Sequence, residues 1–374
     1  MRVLNIMSRF NVGGTSQWLF QLSQGLSESG IDNILVIGNC PKSELEDSRL
    51  MGISHQRVKG LGPKVSIYKT IIGFFELRKV IKEFKPDIVN THTSKAGVIG
   101  RIAAFSLKKR PVIVHTYHGH VLSGYFNPLI EGAVKRIEIL LSVITDYFLV
   151  LGEQGMQDIS KAGIIKRNNA LQVWPAVPDL EPGDRKSLRL NLNISDNKLV
   201  VGWLGRKVPI KRVDRILELA GRNPEITFLL AGDGTSIRSQ FPNLFKDGAL
   251  KNVIEAGFMS PSNIWAISDI CIQASDNEGI PSSPIEAALA GRPIIATDAG
   301  ATREVLIDGK TGILCTTDIA DLASALDKLS KDSSLCEEMG RAGRQFVLKK
   351  FAPKASVERQ IDGYKLALAK HLGD

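Results

Sequence analysis

Short apolar runs rich in β-branched residues alternate with segments of helical period along most of the chain, and the alternation occurs twice. In the first half, residues 3–7, 33–37, 87–90, 112–116 and 147–150 read as strands. Between them, residues 17–26 and 67–84 place apolar side chains three or four apart, the spacing of a helix packed on a sheet. Such alternation requires parallel strands joined by helical crossovers, hence a sheet covered on both faces. The rhythm stops between Trp174 and Asp184, where Pro175, Pro178, Pro182 and Gly183 mark an interdomain linker. It restarts with strands at 199–203, 227–231, 253–256, 270–273 and 293–296 and helices at 212–220, 284–290 and 319–329. Everything after Asp332 reads as helix, with a break near Pro353. The expected fold is α/β: two Rossmann-like, doubly wound parallel-sheet domains whose strand-end loops face a central cleft.

A length of 374 residues suits two domains, each able to bury a core. No stretch reaches the ~18 uninterrupted apolar residues of a membrane span; the nearest, residues 139–151, is broken by Ser142, Thr145 and Asp146. The first residues run straight into a strand pattern without the features of a signal peptide. Cys40, Cys271, Cys315 and Cys336 form no CxxC pair, which fits reduced thiols in a cytoplasmic protein. The charge is lopsided. Residues 1–178 hold 22 Lys+Arg against 13 Asp+Glu, the whole of the net +9, and the remainder is balanced. An anionic partner for the first half follows: phospholipid, a phosphate-bearing substrate or nucleic acid. Nucleic acid is disfavoured, since no helix-turn-helix, zinc or aromatic-stacking signature accompanies the charge.

Four segments carry possible chemistry. Gly13-Gly14, between the first strand and first helix, either lets the backbone approach an anionic ligand or is a plain turn. It is not GxGxxG and lacks an acidic ribose anchor, which disfavours a dinucleotide dehydrogenase. His118 and His120 follow a strand, with His92 ending the strand before; no nearby Cys, Asp or Glu completes a metal set, so an imidazole bonding a substrate hydroxyl is the better reading. Gly205-Arg206-Lys207-Val208-Pro209-Ile210-Lys211-Arg212 puts Arg206 and Lys211 at a strand end, where fixed cations suit a departing diphosphate; Lys207 and Arg212 read as solvated loop charges. Finally, Ser275 to Ala287 enters a Gly/Pro/Ser loop and then a helix starting near Ser283, with Pro284 at its first position. Glu278 in that loop and Glu286 in the first helical turn can each hold hydroxyls beside an anion-binding helix start.

Gly13-Gly14, His118-Gly119, Gly205-Arg206 with Lys211, Ala231-Gly232-Asp233-Gly234 and Glu278-Gly-x-Pro with Glu286, in this order, resemble the retaining glycosyltransferases of family 4 over nearly the whole chain. Arg303-Glu304-Val305 through Thr311-Gly312 is similar to the segment that follows in that family. The resemblance implies the GT-B fold, with residues 1–178 binding acceptor, 179–354 binding the nucleotide sugar, and 355–374 crossing back to the first domain. It implies hexosyl transfer, with Arg206 and Lys211 on the donor diphosphate and Glu278, Gly279, Ile280, Pro281 and Ser282 along the donor sugar. Glu286 would hold the ribose, His118 would touch the sugar, Gly13 and Gly14 would lie near diphosphate and acceptor, and Gly257, Phe258 and Met259 would border the base. No cofactor or metal is expected, the nucleotide sugar being substrate. Pro175-Ala176-Val177-Pro178-Asp179 departs from the family's Pro-Asn-Gly-Val-Asp, so the hinge differs. A sugar-nucleotide epimerase or phosphorylase of the same fold is the alternative, though Gly-Arg-x4-Lys with Glu-x7-Glu argues for transfer.

His118-Gly119-His120 with Tyr125-Phe126 is similar to bacterial enzymes using UDP-linked, often N-acetylated sugars. For the acceptor, Lys59, Lys64, Lys69, Arg78, Lys79, Lys82 and Lys85 accompany Ile67, Tyr68, Ile71, Ile72, Phe74, Phe75 and Leu77. A basic amphipathic helix of this kind lies on an anionic bilayer or packs its apolar side into the sheet. The favoured expectation is a polyprenyl-diphosphate-linked glycan acceptor and a peripheral position on the inner face of the cell membrane.

Overall fold

The computed structural model describes residues 1–42, 44–62, 66–119, 128–165 and 168–373, with the side chains of Pro128 and Asp247 excepted. Lys64, His120, Tyr125 and Phe126, singled out above, lie outside the described residues. The chain divides into two compact units, Met1–Pro178 with Phe351–Asp374, and Asp179–Lys350.

In chain order the strands of the first unit are β1 Arg2–Met7, β2 Asp32–Ile37, β3 His55–Arg57, β4 Ile88–His92, β5 Val112–Tyr117, β6 Tyr147–Leu151 and β7 Ala170–Val173. Those of the second are β8 Val200–Leu204, β9 Thr227–Ala231, β10 Val253–Gly257, β11 Ile270–Gln273, β12 Ile294–Thr297 and β13 Gly312–Cys315. The helices are α1 Gly14–Glu28, α2 Ile67–Phe84, α3 Ser94–Phe105, α4 Pro128–Ser142, α5 Glu153–Lys161, α6 Arg185–Asn191 and α7 Val213–Arg222. They continue with α8 Ile237–Gln240, α9 Pro261–Ile267, α10 Ser282–Leu289, α11 Ile319–Lys331, α12 Ser333–Phe351 and α13 Pro353–Gly373.

The first sheet runs β3-β2-β1-β4-β5-β6-β7, all parallel. Its inner strands β1, β4, β5 and β6 are buried on both faces, as continuous runs such as Tyr147-Phe-Leu-Val-Leu151 require. Helix α2 starts where Ser66 accepts from the Lys69 N–H and stops where Lys85 turns left-handed, at φ 51°. Its inner face buries Leu77, Val80 and Ile81 against Leu4, Ile6 and Val89 of the sheet. The opposite side of the sheet is covered by α1 and α13, which pack on each other. Trp18 of α1, 2% exposed, lies between them with its indole N–H on Ser356 Oγ at 3.4 Å.

The second sheet runs β10-β9-β8-β11-β12-β13, again parallel. Its core joins Trp203 and Phe228 to Ile216, Leu217 and Ala220 of α7 and Leu322 and Leu326 of α11. In each sheet the chain leaves its first strand one way and later returns to that strand's other side. The switch falls between β1 and β4 and between β8 and β11, where an open α/β sheet forms its ligand crevice beyond the carboxyl ends.

Close backbone approach shapes the loops at the second switch. A Cβ on Gly232 would meet the Gly205 carbonyl oxygen at 1.9 Å, and its φ is +130°. Gly232→Ala should therefore destabilise the second unit by about 3 kcal/mol, strain and displaced backbone together. Gly257→Ala, with φ +67° but open space around its Cβ, should cost only about 1 kcal/mol. Urea melts of the two variants compare these costs, and equal midpoints would contradict the packing argument.

Candidate active site

At the second switch point four loops lock together. The loop after β8 docks on the loop after β9 through Gly205 N–H to Ala231 O at 3.1 Å and Lys207 N–H to Asp233 O at 2.9 Å. The loop after β11 docks on the loop after β8 through Asp276 N–H to Ile210 O at 2.9 Å, and on the loop after β12 through Ala301 N–H to Glu278 O at 3.0 Å. Gly300 permits the second contact, since a Cβ there would sit 2.1 Å from the Glu278 carbonyl oxygen.

Arg206 and Lys211 both emerge here, in different states. Lys211 Nζ bonds Glu278 Oε1 at 2.5 Å, and Ser275 Oγ donates to the same oxygen at 2.6 Å. Arg206 is exposed and forms no ion pair with a described residue. The Gly-Arg-x4-Lys element and the first acid of Glu-x7-Glu thus meet in one charged cluster, with Lys211 neutralised and Arg206 not. Their neighbours differ from the sequence expectation. Lys207 is not a solvated loop charge: it is 8% exposed, its ammonium 2.8 Å from Glu255, which also takes Ser236 Oγ and the Ile237 N–H. Arg212 is tied to Asp214 and Asp276, and Arg215 joins it on Asp276 at 2.7 Å. These ion pairs fix the loop from which Arg206 projects.

Helix α10 begins at Ser282 rather than Ser283, with Pro281 as the capping residue, so Pro284 is its third residue and not its first. Pro281 offers no side-chain acceptor, and the Ser282 and Ser283 N–H groups have no intrahelical partner. Glu286 consequently falls beyond the first turn, 3% exposed, near enough to Cys271 to help burial push that thiol up. A carboxylate this deep does not serve the helix dipole at the surface. Gly279 and Ile280 stand half-buried between Glu278 and the helix start. Gly257, Phe258 and Met259 close β10: the Gly257 carbonyl accepts the Gly232 N–H at 2.7 Å, and the Phe258 ring is 60% exposed.

In the first unit, Gly13 precedes α1 and Gly14 opens it, beyond the end of β1. His118 follows β5, one strand across, its ring edge-on to Trp18 at 4.6 Å. Its Nε2 lies 2.8 Å from His92 Nδ1, and burial lowers its pKa to about 3. Burial first, and His118 second, hold His92 well below the ordinary imidazole range. Both rings are therefore neutral near pH 7. His115 points to the other face, on Thr91 Oγ1 at 2.8 Å. Among the described residues no group of three or more His, Cys, Asp or Glu is placed to hold a metal ion.

Apart from His92, the sequence did not single out the polar support behind His118. Asn5, Asn90, His92 and Thr116 are all fully buried, and all join one hydrogen-bonded set with Tyr364 of α13. Asn5 inside the apolar run of β1, and the polar Asn90-Thr91-His92 end of the wholly buried β4, were the available signal.

Known proteins agree with this architecture. Residues 12–180 match the family described as Glycosyltransferase Family 4, and residues 184–346 match Glycosyl transferases group 1. An Escherichia coli UDP-Gal:alpha-D-GlcNAc-diphosphoundecaprenol alpha-1,3-galactosyltransferase is 28% identical, over 72% of this chain and 73% of its own. A GDP-mannose-dependent alpha-mannosyltransferase of Mycobacterium tuberculosis is 25% identical over 81% and 80%. Among solved structures, Anabaena HepE in complex with UDP and glucose superposes with a TM-score of 0.80 at 19% identity, covering 97% of this chain and 98% of the other. With one parallel-sheet unit matched by each of these paired descriptions, the chain belongs to the family 4 glycosyltransferases and has their GT-B fold.

Proposed function

We propose that this glycosyltransferase moves a hexosyl group, an N-acetylhexosaminyl group included, from a UDP-sugar to a lipid-diphosphate-linked glycan in polysaccharide biosynthesis, with retention at the anomeric carbon. One observation carries the reading: at a switch point Lys211 is bonded to Glu278, which precedes the open N-terminus of α10, and the loop that bears Lys211 also carries Arg206, exposed and without an ion pair among the described residues. Charge grows on the diphosphate oxygens as the anomeric bond breaks, and two fixed cations with helix N–H groups stabilise that charge most in the transition state. Glu278 and the 279–282 backbone line the sugar, Glu286 takes the ribose hydroxyls, and Phe258 offers its exposed face to the base. Gly13, Gly14 and His118 serve the sugar and acceptor. The departing phosphate takes the acceptor's proton, so no metal or cofactor enters. The names of the E. coli relative and the HepE complex favour UDP, and that of the mycobacterial relative keeps GDP-sugars in the test.

The purified protein, given UDP- or GDP-sugars and a polyprenyl-diphosphate-linked sugar, should release UDP only when acceptor is present. Proton NMR of the product should show the donor's anomeric configuration. Inversion, or nucleotide release without acceptor, would overturn the reading, as would conversion of the donor to an epimeric nucleotide sugar with no net nucleotide release, which the epimerase alternative predicts.

The acceptor's lipid suits the outer side of α2. Ile67, Tyr68, Ile71 and Phe75 are 82%, 74%, 52% and 62% exposed there, while Leu77, Val80 and Ile81 face the sheet. The inner face of that helix packs into the sheet, and its exposed outer face supports the bilayer reading. Lys69, Lys79, Lys82 and Lys85 are exposed along the same helix and at its C-terminal end, and Leu129, Leu140 and Val143 are further exposed apolar residues along and just beyond α4. No described helix is long and apolar enough to cross a membrane. The positive excess of this half selects an anionic bilayer as occupant, at about 1 kcal/mol per basic residue near the surface. Sedimentation with phosphatidylglycerol vesicles, but not phosphatidylcholine ones, is expected at low salt. Phe75→Asp with Lys79→Glu should abolish it, and salt-insensitive or equal binding to both vesicles would contradict the docking.

A further inference from the structure

The buried set behind His118 has a definite hydrogen-bond direction. Asn5 Oδ1 receives three contacts: Asn90 Nδ2 at 3.2 Å, Tyr364 Oη at 3.4 Å and His92 Nε2 at 3.1 Å. Asn90 is itself oriented, its Oδ1 accepting from Thr116 Oγ1 at 2.9 Å and its Nδ2 donating to Tyr364 Oη at 2.9 Å. Gln360 Nε2 also donates to Tyr364 Oη, at 3.1 Å, which directs the phenol hydrogen onward to Asn5. An amide oxygen only accepts. With the Asn5 amide oriented this way, its Nδ2 buried without a partner, His92 carries its hydrogen on Nε2 and leaves a lone pair on Nδ1. That lone pair, 2.8 Å from His118 Nε2, takes a hydrogen from it, and His118 is left with a lone pair on Nδ1.

We propose that Asn5 and His92 are positioning residues that hold His118 as the Nε2–H tautomer, so that its Nδ1 accepts a hydrogen bond from a sugar hydroxyl of the substrate. This rests on the reading of His118 as a sugar contact and adds the direction of the bond and the residues that set it. A fixed acceptor discriminates between a hydroxyl and an oxygen that bears no hydrogen, such as an ether or carbonyl. It also links the C-terminal helix to His118, because Tyr364 and Gln360 of α13 orient the amide that orients His92. Burial supports the same picture, since neither ring can gain a second hydrogen near neutral pH. Trp18 packs edge-on to both rings, at 5.8 Å from His92 and 4.6 Å from His118, and restricts their tilt.

The test is nitrogen-15 NMR of the full-length protein with labelled histidine, resonances assigned by His92→Leu and His118→Ala. At pH 7 the wild-type rings of His92 and His118 should both give the neutral Nε2–H pattern. His92→Leu should leave His118 as a mixture of tautomers and lower kcat about ten- to hundredfold, the range found for partners that orient a functional imidazole, with donor KM little changed. His92→Gln, whose amide oxygen can still accept from His118, should restore part of the rate. An Nδ1–H or doubly protonated His118 in the wild-type spectrum overturns the proposal, and that spectrum decides even if His92→Leu does not fold. Should the tautomers be as stated while His118→Ala transfers sugar normally, the sugar-contact reading fails instead and the proposal built on it falls with it. The two failures are thus told apart.

Discussion

Lys211→Ala is expected to lower kcat by about 10²–10³, the cost of losing one well-placed donor to developing charge, while the KM for acceptor stays near its wild-type value. In the unliganded chain the Lys211 ammonium is 2.5 Å from Glu278 and only 23% exposed, so it is already held and partly desolvated before any diphosphate arrives. A fixed cation in a low-dielectric setting gains most as negative charge grows on the leaving oxygens, and needs little reorganisation to do so. Arg206 differs. It stands exposed and without an ion pair among the described residues, so it is expected to meet the diphosphate through more water and to serve both binding and turnover. Arg206→Ala should lower kcat and weaken UDP binding together. Steady-state kinetics on both variants check this, and near-normal turnover in either would remove that residue from the leaving-group site.

Glu278→Gln should separate nucleotide binding from sugar transfer. The carboxylate now accepts from Lys211 and Ser275 through one oxygen, which leaves the other to take donor hydroxyls. Neutralising it releases Lys211 from its counter-ion, so UDP should bind as tightly as in the wild type or more tightly. Transfer should nevertheless fall by about 10²-fold, because the sugar loses the acceptor that orients it. Calorimetry with UDP alongside turnover with UDP-sugar gives both numbers. Parallel losses in both would mean that Glu278 acts as a structural strut for the loop. Its backbone is already fixed by Ala301, which makes that outcome unexpected. Lys211→Ala combined with Glu278→Gln should be strongly non-additive, as contacting charges are.

The inner strands and most helices were legible because both faces of a central parallel strand are apolar, and a run such as 227–231 can hardly be anything else. The three strands absent from the sequence reading, β3, β7 and β13, all lie at or next to sheet edges. His55-Gln-Arg57 is polar and mostly exposed, Ala170-Leu-Gln-Val173 is largely half-buried, and Gly312-Ile-Leu-Cys315 opens on a glycine. None shows the apolar run by which inner strands announce themselves. The loop motifs were legible in kind, yet the partners of their charges were not. Lys207 reads as a solvated cation until Glu255 arrives from 48 residues away. Asn5, Asn90 and Tyr364 meet across 274 residues or more of separation from the last helix. Long-range pairing of polar groups is set by the fold, and residue spacing carries only its shadow: Asn5, Asn90, His92 and Thr116 breaking otherwise apolar strands.

The second unit's claim on the donor diphosphate is tested most directly by a crystal structure with UDP bound. Diphosphate density is expected beyond the ends of β8 and β11, within hydrogen-bond reach of Arg206, Lys211 and the first N–H groups of α10, with the ribose on Glu286. Well-defined nucleotide elsewhere, or in that place with both cations turned away from its phosphates, would contradict the account.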